Sequence, residues 1–253
     1  MPREVWLLGG EASTSLSPAM QNAAFSATGL ELRYEAHQIS ADELASSIAA
    51  MRRRDDVLGA NVTIPHKQAV IPLLDELDPL ARRLGAVNTI SRRDGRLVGS
   101  NTDVHGFARA LDECGYAVDR ETVTIFGAGG AARAAAHALR DRCRRIIIIA
   151  RDGDKARRLV DDLELGNAVI STAHHQGAIN RAAVIVNATP IDVPGWTPRP
   201  GQRLFDLRYR RSQEGRSMLL HQGAAAFEIW TGHKPPVDVM REALRRAIQA
   251  VPA

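Results

Sequence analysis

The chain has 253 residues, of which 45% are hydrophobic and 25% charged, and its formal net charge is +4. That length admits one large domain or two small ones with a real core, and the composition is globular, which excludes disorder as the default. Its basic residues come as scattered doublets and triplets, such as Arg52-Arg53-Arg54 and Arg210-Arg211, and only 4% of residues are aromatic. A nucleic-acid surface needs a concentrated basic stripe with aromatics between the charges, so no nucleic-acid partner is expected. The basic balance suits small anionic ligands such as phosphates and carboxylates. Cys114 and Cys143 are too few for a disulfide framework, and no Cys/His spacing resembles a metal site. The apolar run Val5–Leu8 is too short for a signal peptide and Ile146–Ala150 too short for a membrane span. A soluble, cytoplasmic protein without a membrane partner is expected.

Short apolar runs alternate with helical patterns from the start. Val5–Leu8 predicts a strand, Pro18–Thr28 a helix, Leu32–His37 a strand and Ala41–Met51 a helix. Val57–Val62 predicts a strand, and Lys67–Leu74 and Pro79–Leu84 predict helices. Val87–Ser91 and Arg96–Val98 predict a turn-linked pair of strands, because Asp94-Gly95 is a strong hairpin signal. Asp103–Gly115 reads as a helix stopped by Gly115. Thr122–Phe126 predicts a strand, followed by a glycine-rich turn, a helix to Arg140 and the strand Arg145–Ala150. Ala156–Leu163, Val169–Ser171, Ala183–Asn187 and Arg203–Asp206 continue the alternation, and helices over Gly215–Trp230 and Pro236–Ala250 close the chain. Strands at this spacing make an α/β protein: an N-terminal α/β substrate lobe plus a Rossmann-like dinucleotide-binding lobe. The expected division is 1–104 and 105–220. Periodicity does not place the last helices; those from about 221 to 253 are assigned back to the first lobe.

The turn Gly127-Ala128-Gly129-Gly130-Ala131-Ala132 has a strand entering it and a helix leaving it, the context that gives a glycine fingerprint its weight. Gly127 allows the tight turn, Gly129 lets the backbone approach a pyrophosphate, and small Ala132 lets the helix pack closely on the strand. Gly127, Ala128, Gly129, Gly130 and Ala131 are therefore the expected phosphate cradle, with the N–H groups of the helix start as donors. After the next strand, Arg151 and Lys155 favour the 2′-phosphate of NADP, while Asp152 opposes it if it points inward. NADP is the expected cofactor, with NAD as the alternative.

Two polar stretches, Asn61-Val-Thr-Ile-Pro-His-Lys67 and Ser100-Asn-Thr-Asp103, each end in a residue that can exchange a proton. Hydride transfer to a ketone leaves a developing alkoxide, and a nearby ammonium supplies both the proton and charge stabilisation. Lys67 is thus the candidate acid/base group and Asp103 the carboxylate that holds it. Each also has a plain structural reading: Lys67 can open a helix after Pro65, and Asp103 can cap one. Ser15 and Ser17 can likewise start a helix at Pro18, and Asn88 and Thr89 can be turn residues.

Taken together, and in chain order over nearly the whole sequence, these stretches resemble the shikimate dehydrogenase family. Ser15-Leu-Ser17-Pro18 is similar to that family's paired serines, and Asn61–Lys67 to its segment ending in the catalytic lysine. Ala86-Val-Asn88-Thr89 and Asn101-Thr-Asp103 resemble its Asn and Asp stretches. Gly127–Arg133 is similar to its cofactor turn, and Asn187-Ala-Thr189-Pro190 to a loop near the cofactor. Asp206-Leu207-Arg-Tyr209 and Met218-Leu-Leu-His-Gln222 resemble its late segments. The resemblance implies two lobes with the active site in the cleft between them. It implies NADPH-linked, reversible reduction of 3-dehydroshikimate to shikimate in aromatic amino-acid biosynthesis. Lys67 is then the acid/base group with Asp103 as its partner, and Ser15 and Ser17 hold the substrate carboxylate. Thr63, Asn88, Tyr209 and Gln222 complete the polyol pocket, and Thr189 and Leu207 lie at the cofactor. The implied partner is a small-molecule substrate, and the expected assembly a monomer or homodimer.

The sequence departs from the family pattern in places. Ala150-Arg151-Asp152 stands where the family has Asn-Arg-Thr, Glu214-Gly-Arg-Ser217 replaces a glycine-rich stretch, and Val104 follows Asp103 where glycine is frequent. These changes fit an alternative: a paralogue acting on quinate or aminoshikimate with NAD or dual cofactor use. Ser17 leans towards shikimate, because a quinate pocket must admit an extra hydroxyl beside the carboxylate. A non-catalytic nicotinamide-sensing protein gives little reason for Lys67, Asp103 and the serine pair together, and a folate-type dehydrogenase does not explain the paired serines.

Overall fold

The structure is a computed structural model that describes residues 3–171, 175–197 and 199–250. It divides into two compact units, one made of the chain up to Thr102 together with the chain from Leu220 onward, the other of Asp103–Leu219.

The first unit contains β1 (Arg3–Gly9), α1 (Ser17–Ala27), β2 (Leu32–Gln38), α2 (Leu44–Arg53), β3 (Val57–Val62), β4 (Glu76–Leu77), α3 (Pro79–Leu84), β5 (Thr89–Arg93) and β6 (Arg96–Ser100). Its six strands form one sheet in the order β2-β1-β3-β5-β6-β4. β1 runs parallel to β2 and β3, while β5 is antiparallel to β3 and β6. Most of β1 and β3 is buried, as expected of parallel strands covered on both faces. The predicted hairpin is present: Asp94 and Gly95 both have positive φ, 49° and 76°, which matches the twist of the strands they join. Trp6, Leu8, Ile48, Met51, Val57 and Ile90 form the centre of the core.

The predicted helix over Lys67–Leu74 is absent. That stretch is a run of turns with a single 3-10 turn at Ile71–Leu73. Pro72 lacks an N–H and its ring would collide with the carbonyl of Gln68, so an α-helix cannot pass through it.

The second unit contains α4 (Asp103–Glu113), β7 (Thr122–Phe126), α5 (Gly130–Leu139), β8 (Arg145–Ile149), α6 (Gly153–Asp162), β9 (Ala168–Ile170), α7 (His175–Arg181), β10 (Val184–Asn187) and β11 (Arg203–Asp206). All five strands are parallel, in the order β11-β10-β7-β8-β9. The chain winds outward from β7 in both directions, so the switch point lies between β7 and β10, where such sheets bind their ligands. Phe126, Ile147, Ile149, Ile179 and Ile185 fill one side of this sheet. The short helix α7 has no counterpart in the sequence pattern.

Two helices close the chain, α8 (Gln213–Thr231) and α9 (Val237–Gln249). The part of α8 beyond Leu219 belongs to the first unit. There Trp230 Nε1 donates to the Ile90 carbonyl at 2.9 Å, Gln21 Nε2 donates to the Gly223 carbonyl at 2.9 Å, and Phe227 stacks on Phe25. α9 packs on α1. No helix among the described residues is long and apolar enough to cross a membrane.

Candidate active site

The polar residues of the first unit are joined into a buried hydrogen-bond network. Ser15 and Ser17 lie where α1 starts, with Leu16, which cannot cap through its side chain, at the N-cap position. Ser15 Oγ instead accepts the Ser17 N–H at 3.2 Å and lies 3.2 Å from Ser17 Oγ. Beside Ser17, the Tyr34 hydroxyl donates to Asn61 Oδ1 at 2.7 Å. Asn61 Nδ2 donates to the Asn88 carbonyl at 3.0 Å and to Thr89 Oγ1 at 3.2 Å. With the amide hydrogens committed there, Asn61 must turn its oxygen to Tyr34. Burial pushes the Tyr34 phenol well above its ordinary range, so it stays a neutral donor. Asn88 Oδ1 accepts the Thr102 N–H at 2.8 Å, and its Nδ2 donates to Thr102 Oγ1 at 2.9 Å and to Gln222 Oε1 at 3.3 Å.

Lys67 and Thr63 sit beside this network on the turns that follow β3. The Thr63 N–H donates to the Leu8 carbonyl at 2.9 Å, tying the segment to β1. His66 is 1% exposed and its Nε2 lies 3.0 Å from the Ile39 carbonyl. The half-buried Lys67 accepts the Val87 N–H on its own carbonyl at 2.7 Å, one residue before Asn88. The lysine's backbone is therefore tied to the segment that carries Asn88. The structure thus gathers Ser15, Ser17, Thr63, Lys67, Asn88 and Gln222 in the first unit. Tyr34, Asn61 and Thr102 support them and are not candidates in the sequence reading; a buried tyrosine on a strand flanked by Arg33 and Glu35 was the available signal.

The second unit carries the remaining candidates. Asp103 is the first residue of α4 and is 3% exposed. Gly127 has φ +113°, and a Cβ there would lie 3.0 Å from the Ala188 carbonyl oxygen, so the turn after β7 presses against the segment after β10. A Cβ on Gly129 would meet nothing within 4 Å, which leaves its backbone open to a ligand. Ala128, Gly130 and Ala131 stay part-exposed, whereas Ala132 and the next turns of α5 are buried against the sheet. This is a cradle that fits a dinucleotide pyrophosphate.

Arg151 and Lys155 are both exposed after β8. Between them Asp152 Oδ1 accepts the N–H groups of Asp154 at 3.1 Å and Lys155 at 3.0 Å, so this carboxylate caps α6. The Lys155 N–H bond first, and the nearby cations with it, holds Asp152 below the usual carboxylate range. Its Oδ2 lies 3.8 Å from Lys155 Nζ.

On the other side of the switch point, fully buried Asn187 accepts from the N–H and hydroxyl of Thr189 at 3.1 and 2.7 Å and donates to the Ile191 carbonyl at 2.9 Å. The Leu207 N–H donates to the Asn187 carbonyl at 3.0 Å, and half-buried Tyr209 follows two residues later. Among the described residues no group of His, Cys, Asp and Glu could hold a metal ion. Chemically, the first unit offers hydroxyls, amides and the Lys67 ammonium on a hydrogen-bonded frame, which suits a polyhydroxylated carboxylate. The second offers a phosphate cradle with cations beyond β8.

Comparison with known proteins agrees with both halves. The model of the shikimate dehydrogenase substrate binding domain matches residues 7–90, that of shikimate / quinate 5-dehydrogenase matches 109–196, and that of the shikimate 5′-dehydrogenase C-terminal domain matches 215–245. The shikimate dehydrogenase (NADP(+)) of Moorella thermoacetica is 39% identical over 97% of this chain and 94% of its own length. That of Geobacillus kaustophilus is 38% identical over 97% of this chain and all of its own. Among solved structures, shikimate 5-dehydrogenase from Thermus thermophilus in complex with NADP(H) and shikimate superposes with a TM-score of 0.80 at 34% identity, covering 97% of this chain and 99% of that one.

Proposed function

The chain belongs to the shikimate dehydrogenase family, and we propose that it catalyses the reversible NADPH-dependent reduction of 3-dehydroshikimate to shikimate. The observation that carries this reading is the use made of Ser17. A serine before proline at a helix start ordinarily caps that helix. Here its hydroxyl lies 3.2 Å from that of Ser15 and beside the Tyr34 phenol, from which a hydrogen-bond network runs through Asn61 to Asn88 and Gln222. A frame of this kind suits a ring bearing one carboxylate and several hydroxyls.

In this reading Ser15 and Ser17 donate to the substrate carboxylate, and Thr63, Asn88, Tyr209 and Gln222 bind its hydroxyls. Bound NADPH supplies the hydride. As the carbonyl becomes an alkoxide, Lys67 Nζ gives it a proton, and in the oxidation direction the same amine takes that proton back. Asp103 is assigned as the partner carboxylate of the reaction and accepts from a substrate hydroxyl. The N–H groups and small side chains of Gly127, Ala128, Gly129, Gly130 and Ala131 receive the pyrophosphate, Arg151 and Lys155 the 2′-phosphate, and Thr189 and Leu207 line the cofactor. The enzyme is read as a cytoplasmic monomer or homodimer that acts in aromatic amino-acid biosynthesis.

Steady-state assays with shikimate or quinate, each paired with NADP or NAD, test the proposal. The highest kcat/KM is expected for shikimate with NADP. Absence of turnover with all four pairings overturns it.

A further inference from the structure

β10 and β11 lie side by side with Asn187 opposite Asp206, so the segments leaving the two strands start at one level of the sheet. Each segment is folded onto its own strand end. Asn187 holds Thr189 as described. Asp206, 5% exposed, accepts from the Arg208 N–H at 3.0 Å and from its Nε and NH2 at 2.9 and 2.5 Å. The rest of the guanidinium leaves that segment: Arg208 NH1 reaches Asp192 Oδ1 at 2.7 Å, three residues beyond Thr189. One planar fork thus joins carboxylates on two neighbouring segments, a task a lysine cannot perform with the same geometry. The two limbs differ in exposure. The side chains of Arg208 and Asp206 are 17% and 7% exposed, whereas that of Asp192 is 76% exposed.

We infer that Arg208 is a positioning residue: by tying Asp192 to Asp206 it sets the Thr189 segment against the Leu207–Tyr209 segment and so sets the affinity for the dinucleotide. This rests on the assignment of Thr189 and Leu207 to the cofactor. The outer limb can be cut with little effect on the fold, because an exposed ion pair contributes little to stability. Arg211 NH1 also reaches Asp192, at 3.1 Å, and provides a control on the same carboxylate.

The test is the NADPH dissociation constant of the full chain, read from cofactor fluorescence, alongside Tm. Asp192→Asn is expected to weaken binding roughly threefold to fivefold, the scale of one exposed ion pair, at unchanged Tm. Asp192→Glu should recover most of the loss, and Arg211→Ala should bind like the wild type. Wild-type affinity in Asp192→Asn overturns the inference, as does an equal loss in Arg211→Ala or a fall in Tm that accompanies the loss. NADPH binding without shikimate turnover overturns the proposed reaction and leaves the clamp standing. No NADPH binding by the wild type overturns the cofactor assignment and the clamp together.

Discussion

Asn88 Nδ2 donates to Gln222 Oε1 at 3.3 Å, joining two side chains that lie 134 positions apart in the chain. Asn88 also satisfies the Thr102 N–H and hydroxyl. Asn88→Ala leaves the buried Thr102 N–H without its acceptor, at a cost of about 1–3 kcal/mol. It should therefore lower Tm and also raise the KM for shikimate. Gln222→Ala removes the other side chain of this pair and should likewise raise the KM for shikimate. A wild-type Tm in Asn88→Ala would show that Asn88 does not hold the Thr102 N–H as described.

The cap at Asp152 leads to a prediction about cofactor choice. Asp152→Asn keeps an oxygen for the N–H groups of α6 and removes a negative charge beside Lys155. The ratio of kcat/KM for NADPH over NADH should rise roughly threefold to tenfold, as expected when one nearby exposed charge is deleted. Thermal stability should hold. A ratio that stays constant or falls would mean that the carboxylate is not felt at the 2′-phosphate.

Asp75 ties α2 to β6: its Oδ2 accepts from Arg52 NH1 at 2.6 Å and from the Leu97 N–H at 2.7 Å. Arg52 first, and then the Leu97 N–H, hold the carboxyl below its ordinary value. Because the folded value is the lower one, ionised Asp75 stabilises the fold above the unfolded value, and that stabilisation is lost as pH falls through the folded one. Asp75→Asn should lower stability by about 1 kcal/mol at neutral pH. The gap to wild type, measured by urea denaturation, should close below about pH 4. A gap independent of pH would contradict this role.

Burial pushes the Cys143 thiol up to about 12, whereas Cys114 is partly exposed. Since the thiolate is the nucleophile, iodoacetamide at pH 8 should modify Cys114 in the native protein and Cys143 only after unfolding. Mass spectrometry of the alkylated peptides reads this directly, and native labelling of Cys143 would count against its burial.

How much of this was legible in the sequence depended on the range of each signal. The alternation of short apolar runs with helical patterns predicts every strand of the second sheet, including the part-exposed β9, because a strand is marked by its own residues. The hairpin at Asp94-Gly95 and the glycine turn after Phe126 are likewise local. The expected helix at Lys67–Leu74 is absent because its apolar spacing runs across Pro72, which an α-helix does not tolerate. The helix His175–Arg181 was not legible because so short an element, with Gly177 inside it, carries little periodicity. Candidates such as Ser17, Asn88 and Gln222 were visible through resemblance, yet their supporting network was not. Tyr34 bonds Asn61 across 27 positions, and Asn88 bonds Thr102 across 14, so only the fold reveals those partners. Asp152 is legible in kind, because an aspartate before a charged helical turn is a capping signal.

The proposed reaction depends above all on Lys67 exchanging the proton with the reacting oxygen of shikimate. The decisive quantity is the kcat of Lys67→Ala with shikimate and NADP at neutral pH. Loss of a positioned proton-transfer group should lower kcat about 10²- to 10⁴-fold, with the KM for shikimate changed only a few-fold. A kcat within about twofold of wild type, with the substrate still turned over, would contradict the assignment of Lys67 as the acid/base group.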